Sequence, residues 1–112
     1  MHDYKAKVIQ VVEGSVLLLD IALGFAVTVR QEIRLARIDT PEIGGEERDA
    51  GVRAKEYVED VLHGVQEVMI TTAKDKKGKF GRYVAEVVFP KDGENKNLGD
   101  LLLAKGYAEE QS

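Results

Sequence analysis

The stretch AGVRAKEYVEDVLHG, residues 50–64, decides the fold because the chain on either side of it has a different periodicity. Six of its apolar side chains recur at spacings of one, three and four residues, which places them on one face of a helix. They are Ala50, Ala54, Tyr57, Val58, Val61 and Leu62. Acidic residues are frequent at the start of the segment, where they interact favourably with the helix dipole. Gly64 follows its end, where a glycine can adopt the left-handed conformation of a C-cap. The segment therefore predicts one amphipathic helix.

The segments flanking this helix are rich in Val and Ile and are separated by turn residues, which indicates strands. We predict strands at residues 5–12, 16–21, 26–38, 65–73 and 82–89. A second, shorter helix is predicted at residues 97–105, with Gly106 as its stop. The order is β-β-β-α-β-β-α. Five strands with a helix between the third and fourth are typical of an OB-fold barrel, and we expect a single domain over residues 1–112.

The composition is that of an ordinary soluble globular protein, with 44% hydrophobic and 32% charged residues in 112. The absence of cysteine excludes disulfides and thiolate metal sites. No apolar run approaches the length of a membrane span, and the first residues show no signal-peptide pattern. We expect a soluble monomer, either cytoplasmic or exported and already processed, with no membrane partner.

The net charge of −4 argues against nucleic-acid binding by overall charge alone. One local segment is nevertheless basic. Between residues 74 and 82 a single acid, Asp75, is opposed by Lys74, Lys76, Lys77, Lys79 and Arg82. This loop could meet phosphates, or it could be the solvated tip of a hairpin, and its residues alone leave both interpretations open.

The segment IRLARIDTPE, residues 33–42, gathers the groups that phosphodiester cleavage needs. A carboxylate can position or deprotonate water, and an arginine fork can neutralise a phosphate. Arg34 and Asp39 are five residues apart, so on a regular strand they would face opposite sides. They can meet only if the chain bends between them. A functional site and a structural ion pair both remain possible at this point.

Two motifs resemble one known family. RLARIDTPE (residues 34–42), followed by KFGRYVAEV (residues 79–87), is similar to the staphylococcal nuclease, or thermonuclease, family. The resemblance covers nearly the whole chain. It implies an OB-fold, calcium-dependent enzyme that cuts DNA and RNA, with single-stranded or frayed nucleic acid as its partner.

The same resemblance assigns roles to individual residues. Asp39 would be a carboxylate ligand of calcium, and Thr40 would contribute its backbone carbonyl. Glu42 would be the general base, while Arg34 and Arg82 would be the two arginines that bind the phosphate. These roles are implied by the family's motifs.

The match departs from the family's pattern in the first hairpin. Family members commonly read Asp-Gly-Asp-Thr-Val where this chain reads EGSVL, residues 13–17. Ser15 thus replaces a ligand aspartate and becomes a doubtful third ligand. Because calcium affinity depends on the number of charged ligands, we expect weak binding. Lys79 matches a lysine that contacts a nucleotide phosphate, whereas Phe80 lacks the hydroxyl of the tyrosine usual at its position.

The sequence is compatible with two functions, one enzymatic and one not. The first is a calcium-dependent phosphodiesterase, weakened at Ser15. The second is a catalytically inactive OB-fold that binds nucleic acid or protein, or a stable scaffold. Lys79 and Phe80 could give the second function a phosphate-tracking, base-stacking edge.

Overall fold

The computed structural model describes residues 2–77 and 83–111, with side chains described from 3 to 72 and from 83 to 111. The predicted order of three strands, helix, two strands and helix is confirmed, with three further short strands. The elements are β1 (His2–Glu13), β2 (Val16–Gly24), β3 (Val27–Leu35), β4 (Ile38–Asp39), α1 (Arg48–Leu62), β5 (Val68–Lys77), β6 (Tyr83–Lys91), β7 (Glu94–Asn97), α2 (Leu98–Ala104) and β8 (Glu109–Glu110).

The main sheet closes on itself. Its strand order is β3-β2-β1-β5-β6-β7, and β3 also pairs in parallel with β6. In that pairing Ile33 lies opposite Tyr83 and Leu35 lies opposite Ala85. The contact joins the two ends of a five-stranded array, while β7 adds to the outer side of β6. The predicted five-stranded OB-fold barrel is therefore confirmed.

Every second side chain of a strand points inward, and these side chains fill the barrel. Leu17 and Leu19 of β2, with Ile33 and Leu35 of β3, are essentially inaccessible to solvent. Successive side chains of a strand face opposite sides, so the residues between them point outward. Helix α1 buries its apolar face, including Ala54 and Val58, as its periodicity predicts. Gly64 follows the helix at φ +80°, the left-handed conformation expected of a C-cap glycine.

The predicted third strand, residues 26–38, is wrong as a single run. The structure divides it into β3 and β4, because Arg37 has a φ of +70° and the chain turns there. Strands β7 and β8 were also missed, since ENKN and EE are short and polar and carry no apolar alternation. Helix α2 begins one residue later than predicted, with the Asn97 side chain accepting a hydrogen bond from the Asp100 N–H.

The connections at one end of the barrel converge on β4. The turn between β1 and β2 touches the end of β3, where the Leu35 N–H donates to the Ser15 carbonyl at 2.9 Å. Strand β8 pairs with β4 in an antiparallel two-stranded sheet. No helix in the part of the chain that the structure describes is long and apolar enough to cross a membrane.

Candidate functional site

The bend between β3 and β4 brings together two charged side chains that a straight strand would separate. Arg37 takes up the left-handed backbone region at the turn, and the chain re-enters an extended path at Ile38. As a result Nη2 of Arg34 lies 3.4 Å from Oδ1 of Asp39 and 3.3 Å from the Ile38 carbonyl oxygen. Both distances are at the long end of the hydrogen-bonding range, so these contacts are weak.

A third acceptor reaches the same nitrogen from the end of the chain. The side-chain oxygen Oε1 of Gln111 accepts a hydrogen bond from Nη2 of Arg34. The Gln111 backbone N–H donates to the Arg37 carbonyl at 2.7 Å. The segment after α2 is thus part of the surroundings of Arg34. Sequence reasoning missed this contact because residues 109–112 show no periodic pattern.

Thr40 and Ser15 form a buried pair of hydroxyl groups next to these charges. Thr40 is 6% exposed and Ser15 is 5% exposed. The Thr40 hydroxyl donates to the Ser15 hydroxyl oxygen at 3.0 Å. The turn that carries Ser15 therefore lies beside the β4 segment. The Ser15 hydroxyl is neutral and already hydrogen-bonded, so it is a weaker ligand for a cation than a carboxylate would be.

Two glycines allow the backbone elements around Thr40 to approach closely. A Cβ on Gly14 would come within 2.9 Å of the Ala54 Cβ and 3.2 Å of the Thr40 side chain. A Cβ on Gly51 would come within 2.8 Å of the Glu42 carbonyl oxygen. A glycine inside a helix costs stability relative to alanine, so its presence in α1 is explained by this packing. Both residues were missed by sequence reasoning.

Glu42 is exposed and lies in a cleft of about 600 Å³. One side of the cleft is the chain from β4 to the start of α1, and the other side is formed by residues 106–109. The carboxylates that line this cleft are Asp39, Glu42, Glu46, Glu47 and Glu109. Among the residues that the structure describes, no three acidic or histidine side chains converge closely enough to hold a metal ion. The cleft is therefore acidic, but its carboxylates are spread along it.

The oxygen ligands at β4 are of the types that calcium prefers, but there are too few of them to complete its coordination. Calcium takes six to eight oxygen ligands, and carboxylate and carbonyl oxygens are the types it prefers. Asp39 is exposed, and Thr40 follows it with its own carbonyl. Ser15 offers a neutral hydroxyl in place of a charge. These residues could hold a calcium ion weakly, with water or substrate supplying most of the oxygens.

Arg37 forms a compact ion-pair cluster on the other side of the bend. Its Nε and Nη2 donate to the two carboxylate oxygens of Glu86 at 2.6 and 3.0 Å, and Nη2 also donates to Asp100 at 2.9 Å. Asn97 donates to Glu86 at 3.0 Å. The Arg37 hydrogen bond, assisted by Asn97, lowers the pKa of Glu86, although partial burial opposes it. Glu86, followed by Asp100, raises the pKa of Arg37.

The second predicted arginine, Arg82, lies outside the described residues, as do Lys79 and Phe80. Their predicted roles therefore stay predictions. The structure brings together Arg34, Asp39, Thr40 and Ser15 around β4, with Glu42 in the adjoining cleft.

Two comparisons with known proteins bear on this arrangement. The family model for "Staphylococcal nuclease homologue" matches residues 32–112. The match includes Arg34 and the β4 segment, and it begins after the hairpin turn that carries Ser15. A search of curated proteins found no match.

Proposed function

This chain belongs to the staphylococcal nuclease homologue family, and from that membership we propose that it hydrolyses phosphodiester bonds in DNA or RNA. The substrate would be single-stranded or frayed, and the reaction would depend on calcium. The observation that carries the proposal is the position of Arg34. Its guanidinium lies beside Asp39, with long contacts to β4. That arrangement offers a phosphate-binding group next to a carboxylate that can hold a cation.

The proposed reaction is an in-line displacement at phosphorus. Glu42 would take a proton from the attacking water, whose oxygen bonds to phosphorus as the bond to the leaving oxygen breaks. The leaving oxygen would be protonated from solvent. Arg34, together with Arg82, would stabilise the charge on the non-bridging oxygens. Calcium, held by Asp39 and the Thr40 carbonyl, would supply further positive charge when bound.

Lys79 and Phe80 would help to bind the substrate. Lys79 would contact a phosphate of the nucleotide, as the family resemblance implies. Phe80 would pack against the substrate without the hydrogen bond that a tyrosine provides. Neither residue would take part in proton transfer.

Ser15 would make this enzyme a weak one. A carboxylate at position 15 would add a negative charge next to Thr40, whose hydroxyl now donates to the serine. Without that charge, calcium affinity is expected to fall. We therefore propose low residual activity at millimolar calcium rather than full activity.

The second candidate is a nucleic-acid-binding module without catalysis. It is favoured by the absence, within the described part of the chain, of a three-residue acidic or histidine metal cluster. Arg34 could still bind phosphate in such a module. The two candidates differ in whether Glu42 matters for turnover.

The discriminating experiment measures hydrolysis of a single-stranded DNA oligonucleotide at millimolar calcium, with and without chelator. The Glu42→Gln variant removes the proposed base, and Glu46→Gln serves as a matched control because Glu46 lines the same cleft. We expect chelator and Glu42→Gln each to abolish cleavage, while Glu46→Gln changes the rate less than about threefold. Equal effects of the two substitutions would contradict the role of Glu42. Arg34-dependent binding without cleavage would establish the binding module.

A further inference from the structure

We infer that the C-terminal strap, residues 109–111, regulates the site by occupying the nitrogen of Arg34 that a phosphate needs. The inference rests on the proposed phosphate-binding role of Arg34. It concerns a contact made by this chain's own Gln111 side chain.

The strap is held against β4 by backbone contacts. Glu110 pairs with Ile38 and Glu109 pairs with Asp39 in an antiparallel ladder. The Gln111 N–H then donates to the Arg37 carbonyl at 2.7 Å. These contacts fix the position of Gln111, so that its side-chain oxygen reaches Nη2 of Arg34. The contact therefore follows from the course of the backbone.

The geometry of a guanidinium shows why Nη2 matters. A phosphate that binds in a bidentate manner uses two neighbouring N–H groups, either Nε with Nη2 or Nη1 with Nη2. Both forks include Nη2. In this structure Nη2 of Arg34 already faces the Ile38 carbonyl, the Asp39 carboxylate and the Gln111 amide oxygen. Because Nη2 carries two hydrogens, a bidentate phosphate has to displace at least one acceptor.

Gln111 is the acceptor that a phosphate displaces most readily. Its amide oxygen is neutral, whereas hydrogen bonds from arginine to phosphate are charge-assisted and stronger. The other two acceptors are the carbonyl of Ile38, whose side chain is fully buried, and the charged carboxylate of Asp39. Gln111 is exposed and follows β8. The same strand carries Glu109 and Glu110, whose negative charges oppose an approaching phosphate. The strap thus competes with substrate, and releasing Gln111 opens the binding fork.

Substitutions of Gln111 test this competition in two directions. We expect Gln111→Ala to tighten binding of a fluorescein-labelled single-stranded DNA octamer about fivefold, the effect of losing one competing hydrogen bond. Gln111→Glu keeps the side-chain size and adds a charge that pairs with Arg34, so binding should weaken by a similar factor. Fluorescence anisotropy in the presence of chelator measures both affinities without cleavage.

Gln66 provides the matched controls. It is an exposed glutamine between α1 and β5, so Gln66→Ala and Gln66→Glu make the same chemical changes away from the strap. Both should leave the affinity within about twofold. In cleavage assays with calcium, Gln111→Ala should lower KM with little change in kcat, since the strap competes with substrate binding.

The outcomes separate this inference from the proposed hydrolysis. If Gln111→Ala weakens binding, or lowers kcat at constant KM, Gln111 orients Arg34 and the inference is overturned. Equal effects at positions 111 and 66 also overturn it. Opposite shifts for the two Gln111 variants support the strap even if no variant cleaves DNA. Cleavage with unchanged KM would leave the hydrolysis intact and refute the strap.

Discussion

Arg34 and Arg37 lie three residues apart in one motif, yet the structure surrounds them very differently. Arg37 makes two hydrogen bonds to Glu86 at 2.6 and 3.0 Å and a third to Asp100 at 2.9 Å. Arg34 makes contacts of 3.3 and 3.4 Å to β4, and a further one to the neutral amide of Gln111. Among the residues that the structure describes, Arg37 is paired with two carboxylates at short range, whereas Arg34 is paired with one at long range.

These different surroundings indicate which arginine is available to a ligand. Two carboxylates balance the charge of Arg37 and connect the bend to β6 and α2, so its role is to hold the framework. The long ion pair of Arg34 leaves its charge less fully compensated. An incoming phosphate would balance this charge more fully than the present neighbours of Arg34 do.

The two arginines should differ most in their importance for catalysis. Arg34→Ala should reduce the rate of single-stranded DNA hydrolysis about 100- to 1000-fold, the usual cost of removing one group that stabilises transition-state charge. Arg37→Ala should reduce it less than about tenfold, since Arg37 acts through the framework. Initial rates at millimolar calcium measure both. Equal losses for the two variants would erase the contrast between the arginines.

A smaller effect concerns the packing of α1 against the backbone of Pro41 and Glu42, the residues that follow β4. Gly51→Ala should destabilise the protein by about 1–3 kcal/mol, because the new Cβ meets backbone atoms that cannot rotate away. Gly44→Ala is the control, since a Cβ there has open space. Urea unfolding gives the free energies. Equal stability of the two variants would show that α1 shifts without cost and that the site is not held by this contact.

The framework role of Arg37 predicts a loss of stability that depends on the replacement. Arg37→Ala should cost about 1–2 kcal/mol, a value reduced for solvent exposure of the cluster. Arg37→Gly should cost about 1 kcal/mol less than alanine, because glycine adopts a φ of +70° without strain. Thermal and urea unfolding of both variants test this order. A glycine variant less stable than the alanine variant would show that the bend is unstrained.

The smallest effect is a pH dependence of the same cluster. The folded protein lowers the pKa of Glu86, mainly through the hydrogen bond from Arg37, so this carboxylate stabilises the fold above its ordinary pKa of about 4.5. That contribution is lost as the pH falls through the lowered folded value. The stability difference between the parent and Glu86→Gln should thus be constant near neutral pH and shrink below about pH 4. A difference independent of pH would show that Glu86 acts by packing alone.

Much of this fold could be predicted from the sequence, because its strands and helices have apolar side chains at regular spacings. The apolar face of residues 50–62 and the Val- and Ile-rich segments around it predicted the order of strands and helices along the chain. The break between β3 and β4 could not be predicted in this way. Arginine gives no signal for a left-handed conformation, which is why residues 26–38 were expected to form one strand.

The sequence predicts roles for individual residues of the candidate site, and these roles stay predictions, whereas part of the site's geometry can be compared with the structure. The need for a bend between Arg34 and Asp39 followed from strand alternation, and the structure contains that bend. The contacts of Gly14 and Gly51 depend on distant elements, and so does the hydrogen bond from Arg34 to Gln111. No local pattern encodes such contacts. The roles of Arg82, Lys79 and Phe80 stay predictions.

The central proposal is that this chain has a nuclease site that the serine at position 15 weakens. Its most direct test compares hydrolysis of single-stranded DNA by the parent and by the Ser15→Asp, Val16→Thr variant, at millimolar calcium with and without chelator. A Ser15→Asn, Val16→Thr variant is the uncharged control of similar size. We predict that the aspartate variant cleaves at least about tenfold faster than the parent, with full chelator sensitivity, because the added carboxylate strengthens calcium binding. The asparagine variant should not gain activity. Equal rates for all three proteins, or no cleavage by any of them, would contradict the account.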